Sequence, residues 1–173
     1  MAIDSESLLL GKQVPAATRY APELLFPIPR REARDALGYG GEVPFEGVDI
    51  WHAYELSWLD SSDRAQARIG RFTIPATTPN LVESKSFKLY LNSLNNTVFD
   101  DEAAALACIV RDISAAAGGD VALAVFAPDD PALAGAQPSG QCIDTAAGRW
   151  PRREPEAEML QCSRARVVEE QLY

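Results

Sequence analysis

The stretch Asp49-Ile50-Trp51-His52-Ala53-Tyr54-Glu55-Leu56-Ser57-Trp58-Leu59-Asp60 interleaves aromatic and polar residues at near alternation, and Gln66 to Ile74 returns with Ala67, Ile69, Phe72 and Ile74 at recurring positions. Side chains of a strand point alternately to its two faces, so a period of two marks a half-buried strand. The turn-forming run Asp60-Ser61-Ser62-Asp63 lies between the two segments, and the pair is predicted to be a β-hairpin. A long antiparallel hairpin commits the neighbouring segments to covering one of its faces.

Working outward, Pro75 to Pro79 breaks the strand pair. Val82 to Asn95 is compatible with two periods: Phe87, Leu89 and Leu91 fit a strand, whereas Phe87, Leu91 and Leu94 fit a helix. A helix is preferred, because Ser84 and Ser86 suit a strand core poorly and Asn92 to Asn96 resembles a frayed helix end. Asp100-Asp101-Glu102 then places acids at the positive end of a second helix, whose stripe Leu106, Ile109, Val110 and Ile113 runs until Gly118-Gly119 stops it. Asp120 to Phe126 reads as a short strand, Ala127 to Gly140 as a loop, Ile143 to Gln161 as irregular and charged, and Arg166 to Tyr173 as a strand beginning.

Before the hairpin, residues 11–47 hold Pro15, Pro22, Pro27, Pro29 and Pro44 and the turn Gly38-Tyr39-Gly40-Gly41, while still carrying Tyr20, Leu24, Leu25 and Phe26. That composition predicts an irregular arm laid over a domain surface, with residues 1–46 as the arm and 47–173 as the module it covers. The order strand, strand, helix, helix, strand predicts an α+β fold, an antiparallel sheet with two helices on one face.

The chain has 173 residues, 47% of them hydrophobic, enough for one domain with a real core. A formal net charge of -9 opposes a polyphosphate backbone and argues against nucleic acid as the main partner. Acids occupy the N-terminus where a signal peptide carries bases, and the run Leu8-Leu9-Leu10 is far too short to span a bilayer, so no membrane association and a cytoplasmic location are expected. Cys108, Cys142 and Cys162 form neither a CxxC nor a Cys/His cluster. Reduced thiols are expected, with neither a disulfide framework nor a metal site.

Asn80 to Tyr90 gathers Glu83, Ser84, Lys85, Ser86 and Lys88 beside an apolar face, an unusual crowding of chemistry-bearing groups. A helix starting near Val82 or Glu83 would present free N–H groups to an anion, with Lys85 and Lys88 three residues apart adding charge. Glu83 would repel a phosphate but could hold two adjacent N–H groups on the edge of a guanine-like base. From composition alone the bland alternative is the favoured one: Glu83 as a helix-start acid and both lysines on a solvated face. Of the remaining candidates, His52 reads as a satisfied strand histidine, Trp51, Tyr54 and Trp58 as core or interface, and Cys108 as a packing residue.

ESKSFKLYLNSLNNTVF (Glu83 to Phe99) and GVDIWHAYELSWLD (Gly47 to Asp60), with YAPELLFPIPR from Tyr20, GQCID from Gly140 and the closing VVEEQLY, resemble the N-terminal half of the long-form NADPH-dependent 7-cyano-7-deazaguanine reductases. These are the QueF family of nitrile reductases in queuosine biosynthesis. The resemblance implies a tunnelling fold (T-fold) with sites at subunit interfaces. It also implies that Val82, Glu83 and Ser84 contact the deazaguanine and that Ser84 and Lys85 contact NADPH. For Lys88 a solvated and a phosphate-steering role remain open.

The family reaction needs a Cys nucleophile, an Asp acid and a His-Glu pair that the resemblance places beyond the position of Tyr173. No catalytic residue is therefore assigned within this chain, and Cys108, Cys142 and Cys162 lie outside the corresponding motif. Alone, the chain is expected to bind weakly and not to turn over, its partners being 7-cyano-7-deazaguanine and either a second copy in a dimer or a C-terminal catalytic half. The rival expectation is a non-catalytic purine-binding or assembly module serving a separate catalytic chain. A different purine- or pterin-handling enzyme is disfavoured by the want of metal ligands.

Overall fold

The computed structural model describes residues 17–40 and 43–135. Strands β2 (Val48–Leu59) and β3 (Ala65–Pro75) form the long hairpin, and β5 (Ala122–Phe126) pairs antiparallel with the other edge of β3. The order is thus β2-β3-β5, an antiparallel sheet with the hairpin where the alternation placed it. At the turn, Asp60 accepts from the backbone N–H groups of Ser62 (2.8 Å) and Arg64 (3.1 Å), while Asp63 takes the left-handed conformation with φ 58°. Those backbone bonds hold the Asp60 carboxyl below the usual value of 3.8.

The alternation in β2 changes phase midway. Trp51 faces Phe72 and Ala53 faces Gly70, but Leu56 faces Arg68, so β2 spends one residue more than β3 in this interval. Such a bulge lets Ala53, Leu56 and Trp58 all enter the core although their spacing is not uniformly even. Without it, Leu56 and Trp58 would point to the solvent face, where Val48, Ile50, His52 and Tyr54 lie. Of the aromatics read above as core or interface, Trp58 is fully enclosed in the core, while Tyr54 is 70% exposed and so does not belong to it.

Two helices cover the inner face of the sheet. Helix α2 (Ser84–Ser93) buries Phe87, Tyr90 and Leu91, and Leu94 follows at its C-cap; helix α3 (Glu102–Ala117) buries Ala105, Ile109, Ile113 and Ala117 at successive spacings of four. The seam of α3 therefore ends in alanine on both sides, whereas Leu106 only packs at its margin and Val110 is half-buried. Small residues at the seam ends let a helix approach its neighbours closely. Asp101 caps α3 by accepting from Ala104 N–H at 2.7 Å, and Gly118 closes it in the left-handed conformation with φ 75°.

The arm is more ordered than its prolines suggest. Strand β1 (Pro27–Pro29) pairs antiparallel with β4 (Asn80–Val82), and helix α1 (Arg30–Ala36) follows. A two-stranded pairing tolerates prolines because their missing N–H groups can face away from the partner. Helix α1 is held by the Arg30–Asp49 ion pair and by Arg34, which donates to the Ala76 carbonyl at 2.5 Å. None of these contacts has a periodic signature. Further back, the Tyr20 and Tyr90 hydroxyls both donate to one oxygen of Asp112, at 2.5 and 2.8 Å. Burial first, and then the Asp112 bond, push both phenols above their ordinary value, so each remains a donor at neutral pH.

The region from 136 onward, including Cys142, Cys162 and the strand expected at Arg166 to Tyr173, lies outside the described residues. Among the described residues, no helix is long and apolar enough to cross a membrane.

A Cβ at Gly118 would sit 2.5 Å from Pro79 Cγ, in addition to the strain of its positive φ. Gly118→Ala is therefore expected to destabilise the chain by more than about 1 kcal/mol. Urea denaturation would measure it, and an unchanged midpoint would show that the α3 terminus relaxes freely.

Candidate functional site

The groups singled out between Asn80 and Tyr90 occupy the junction where β4 ends and α2 begins. Helix α2 starts at Ser84, and Glu83 is its N-cap rather than a residue of its first turn. The Glu83 backbone is extended, with φ -65° and ψ 132°, as an N-cap requires. Its carboxylate folds back over the helix: Oε1 accepts from Lys85 N–H at 3.0 Å and Oε2 from Ser86 N–H at 2.6 Å. The two orphan donors at the positive end of the helix thus meet a full negative charge.

This geometry corrects one part of the sequence reasoning. The free N–H groups suggested as an anion site are partly taken by Glu83, so the helix start does not offer a bare cradle for phosphate. The helix-start role of Glu83, weighed above as the bland alternative, is physically realised. A carboxylate has about four lone-pair sites, and one on each oxygen remains for a ligand. The two roles are compatible, although Glu83 is only 4% exposed.

Its neighbours are sorted by burial. Val82 is 2% exposed, so its side chain belongs to the core. Ser84 and Lys88 are exposed, and Lys85 is half-buried. Glu83, Ser84 and Lys85 are consecutive and share the tip of α2, whereas Lys88 lies one turn further along. Phe87 faces the opposite way: its ring stands edge-on to Trp51 at 5.8 Å and to Phe72 at 5.0 Å between centroids. The packing that buries Phe87 therefore places the polar tip.

Two surface pockets lie elsewhere. One of about 270 Å³ is bounded by Pro22, Leu25, Pro27, Asp112, Ala115 and Ala116; the other, of about 320 Å³, includes Tyr54, Ser57, Arg68 and Asn95. Neither includes any of Val82 to Lys85.

The other candidates are accounted for by local partners. His52 is exposed on β2, accepts at Nε2 from Arg71 Nε at 3.0 Å and stacks on Tyr54 with centroids 6.0 Å apart. Cys108 is half-buried, with its sulfur 3.2 Å from an Arg111 nitrogen and 3.7 Å from Asp112 Oδ2. Sequence reasoning placed Ser86 in the cluster as a hydroxyl but did not foresee that it is buried and bonded to the Phe26 N–H and the Glu83 carbonyl. Phe26 was read only as an apolar residue of the arm, and nothing local marked its main chain as the partner of Ser86.

Comparison with known proteins bears on this junction. Residues 16–125 match the family profile described as nitrile reductase, 7-cyano-7-deazaguanine-reductase N-term. The chain is 43% identical over 175 residues to an NADPH-dependent 7-cyano-7-deazaguanine reductase of Dechloromonas aromatica, covering 100% of this chain and 62% of that protein. It is 46% identical over 171 residues to a protein of the same name from Azoarcus sp., covering 98% of this chain and 60% of the relative. The chain thus spans about three-fifths of the length of these curated relatives.

Glu83→Ala would strip the α2 N-terminus of both acceptors and is expected to cost about 1 kcal/mol of stability, whereas Glu83→Asp, a preferred capping residue, should retain most of it. Equilibrium unfolding of the two variants checks this. Equal midpoints for Glu83→Ala and the unsubstituted chain would mean that the cap contributes nothing.

Proposed function

Because this chain belongs to the family of 7-cyano-7-deazaguanine nitrile reductases, through the N-terminal region that defines its profile, we propose that it contributes part of the binding site of an NADPH-dependent nitrile reductase. The reaction is the reduction of 7-cyano-7-deazaguanine to 7-aminomethyl-7-deazaguanine in queuosine biosynthesis, a tRNA-modification pathway. The observation that carries this reading is the tip of α2, where Glu83, Ser84 and Lys85 are presented together within a segment matched by the family. The α+β arrangement, with helices on one face of an antiparallel sheet, supports a tunnelling fold.

In this reading the remaining lone pairs of Glu83 receive two adjacent N–H groups of the deazaguanine edge, the bidentate pairing that carboxylates favour. Val82, beneath the surface, sets the position of Glu83 and reaches the ligand only through its main chain. Ser84 stands between substrate and cofactor as an adaptable hydroxyl. Lys85 lies on the cofactor side, where its charge suits the phosphates of NADPH. NADPH supplies hydride when bound, and these residues bind and orient. The nucleophile, the acid and the opposing wall of the site come from a C-terminal catalytic region or from a second subunit in a dimer. A cytoplasmic enzyme acting on a small molecule accords with the acidic composition.

A second reading, a non-catalytic purine-binding or assembly module for a separate catalytic chain, draws on the fact that both Glu83 oxygens already serve the helix. Complementation separates the two. The 173-residue polypeptide mixed with 7-cyano-7-deazaguanine and NADPH should leave the absorbance of NADPH unchanged, and addition of the C-terminal region of the Azoarcus relative should start its oxidation. Continued silence of the mixture would favour the stand-alone binder. Turnover by the polypeptide alone at the rate of a full-length relative would mean that these residues suffice for catalysis.

Glu83→Asp offers a sharper test of the base contact. It keeps a cap but withdraws the carboxylate by one methylene, so substrate binding is expected to weaken by 10-fold or more, on the order of 1–3 kcal/mol for a charged hydrogen-bond pair. Isothermal titration with 7-cyano-7-deazaguanine measures this, and unchanged affinity would remove Glu83 from the site.

A further inference from the structure

On the buried side of α2, two serines spaced two helical turns apart repeat one hydrogen-bond pattern. The Ser86 hydroxyl accepts from Phe26 N–H at 3.0 Å and donates to the Glu83 carbonyl at 2.7 Å. The Ser93 hydroxyl accepts from Ala21 N–H at 3.1 Å and donates to the Tyr90 carbonyl at 2.6 Å. Ser86 is 0% and Ser93 1% exposed. The arm thus runs antiparallel to the helix and is fastened to it at two rungs. A mid-helix serine normally bonds back to the carbonyl one turn earlier and nothing more. Here each hydroxyl also satisfies a backbone donor of a distant segment, buried at Ala21 and part-buried at Phe26, and an unpaired donor in such a place is costly.

The two rungs are alike in chemistry but differ in what they hold. The register of β1 with β4 pairs Pro27 with Val82, so its next step sets Phe26 opposite Glu83. Glu83 N–H donates to the Phe26 carbonyl at 2.9 Å, half of the reciprocal exchange expected for such a pair. The other half is relayed: Phe26 N–H reaches the Glu83 carbonyl through the Ser86 hydroxyl, because the chain has already begun to turn into α2. Ser86 N–H also holds Glu83 Oε2 at 2.6 Å. One buried residue therefore grips Glu83 at both its carbonyl and its carboxylate and ties it to the arm. The Ser93 hydroxyl bonds instead to the carbonyl of Tyr90, whose own hydroxyl is bonded to Asp112, and none of these groups touches Glu83.

We infer that Ser86 is a positioning residue for ligand recognition: acting with the Phe26 main chain, it fixes the direction in which Glu83 presents its unused lone pairs, and the arm is thereby a functional part of the site. This rests on the assignment of Glu83 to the deazaguanine edge. Alanine at position 86 keeps the N–H to Oε2 but removes the relay, so Glu83 is released from the arm on one side. Ser93 is the matched control, since alanine there removes the same kind of rung from the arm without removing any hydrogen bond of Glu83 or of Phe26.

The test compares Ser86→Ala, Ser93→Ala and Glu83→Asp in the reductase reconstituted from this chain and the C-terminal region of a relative, with 7-cyano-7-deazaguanine as the varied substrate. Both serine variants should lower the unfolding midpoint to a similar extent. Only Ser86→Ala should raise KM for the nitrile, by about tenfold, with kcat unchanged, and Ser93→Ala should keep the KM of the unsubstituted protein. Equal KM for the two serine variants, whether both raised or both unchanged, would overturn the positioning role while a raised KM for Glu83→Asp left the base contact standing. If Glu83→Asp also left KM unchanged, the assignment of Glu83 itself would fall, and Ser86 would have nothing to position.

Discussion

Phe87 is the point on which the arrangement turns. Its ring is wedged edge-on between Trp51 and Phe72, one from each strand of the hairpin, and it belongs to the helix whose first residues carry the polar tip. Edge-to-face aromatic contacts add about 0.5–1.5 kcal/mol each beyond burial alone. They also have direction, so the helix is set against the sheet in rotation as well as in distance. With Phe87 inward, Ser84 and Lys88 face solvent, and Ser86 is turned towards the arm. The placement of this polar tip is thus a consequence of core packing carried along one helix.

A second constraint is the supply of partners for polar groups that are buried or part-buried. The Phe26 and Ala21 N–H groups find serine hydroxyls, and two tyrosines find Asp112. Each bond contributes only about 1 kcal/mol net, but leaving any such group unpaired costs more. The arm therefore has few alternative places to lie. It resembles a strap fastened at fixed points rather than a tail resting on a surface.

Much of this was legible in the chain. The hairpin announced itself through alternation, and the second helix through its acidic start, apolar stripe and terminal Gly118-Gly119, because these are local signals that need no partner to be read. The bulge in β2 was not visible, since an added residue in one strand has meaning only against the other. The pairing of Pro27–Pro29 with Asn80–Val82 escaped for a similar reason: two three-residue segments some fifty positions apart have no periodicity, and prolines argue against strand. Tyr54 and Trp58 were read alike, as core or interface, because aromatic character alone does not say which face of a strand is covered.

Residue types and their spacing by themselves determined an α+β chain, its main elements and a short segment rich in binding chemistry, because propensity, capping and hydrophobic period are properties of neighbouring residues. They left the role of Glu83 divided between helix cap and ligand anchor. Tertiary structure decided that the carboxylate caps its own helix while retaining lone pairs, that Val82 lies in the core, and that the arm reaches Glu83 through Ser86. Those outcomes depend on which distant backbone groups need partners once the core has closed, a requirement that no local stretch of sequence contains.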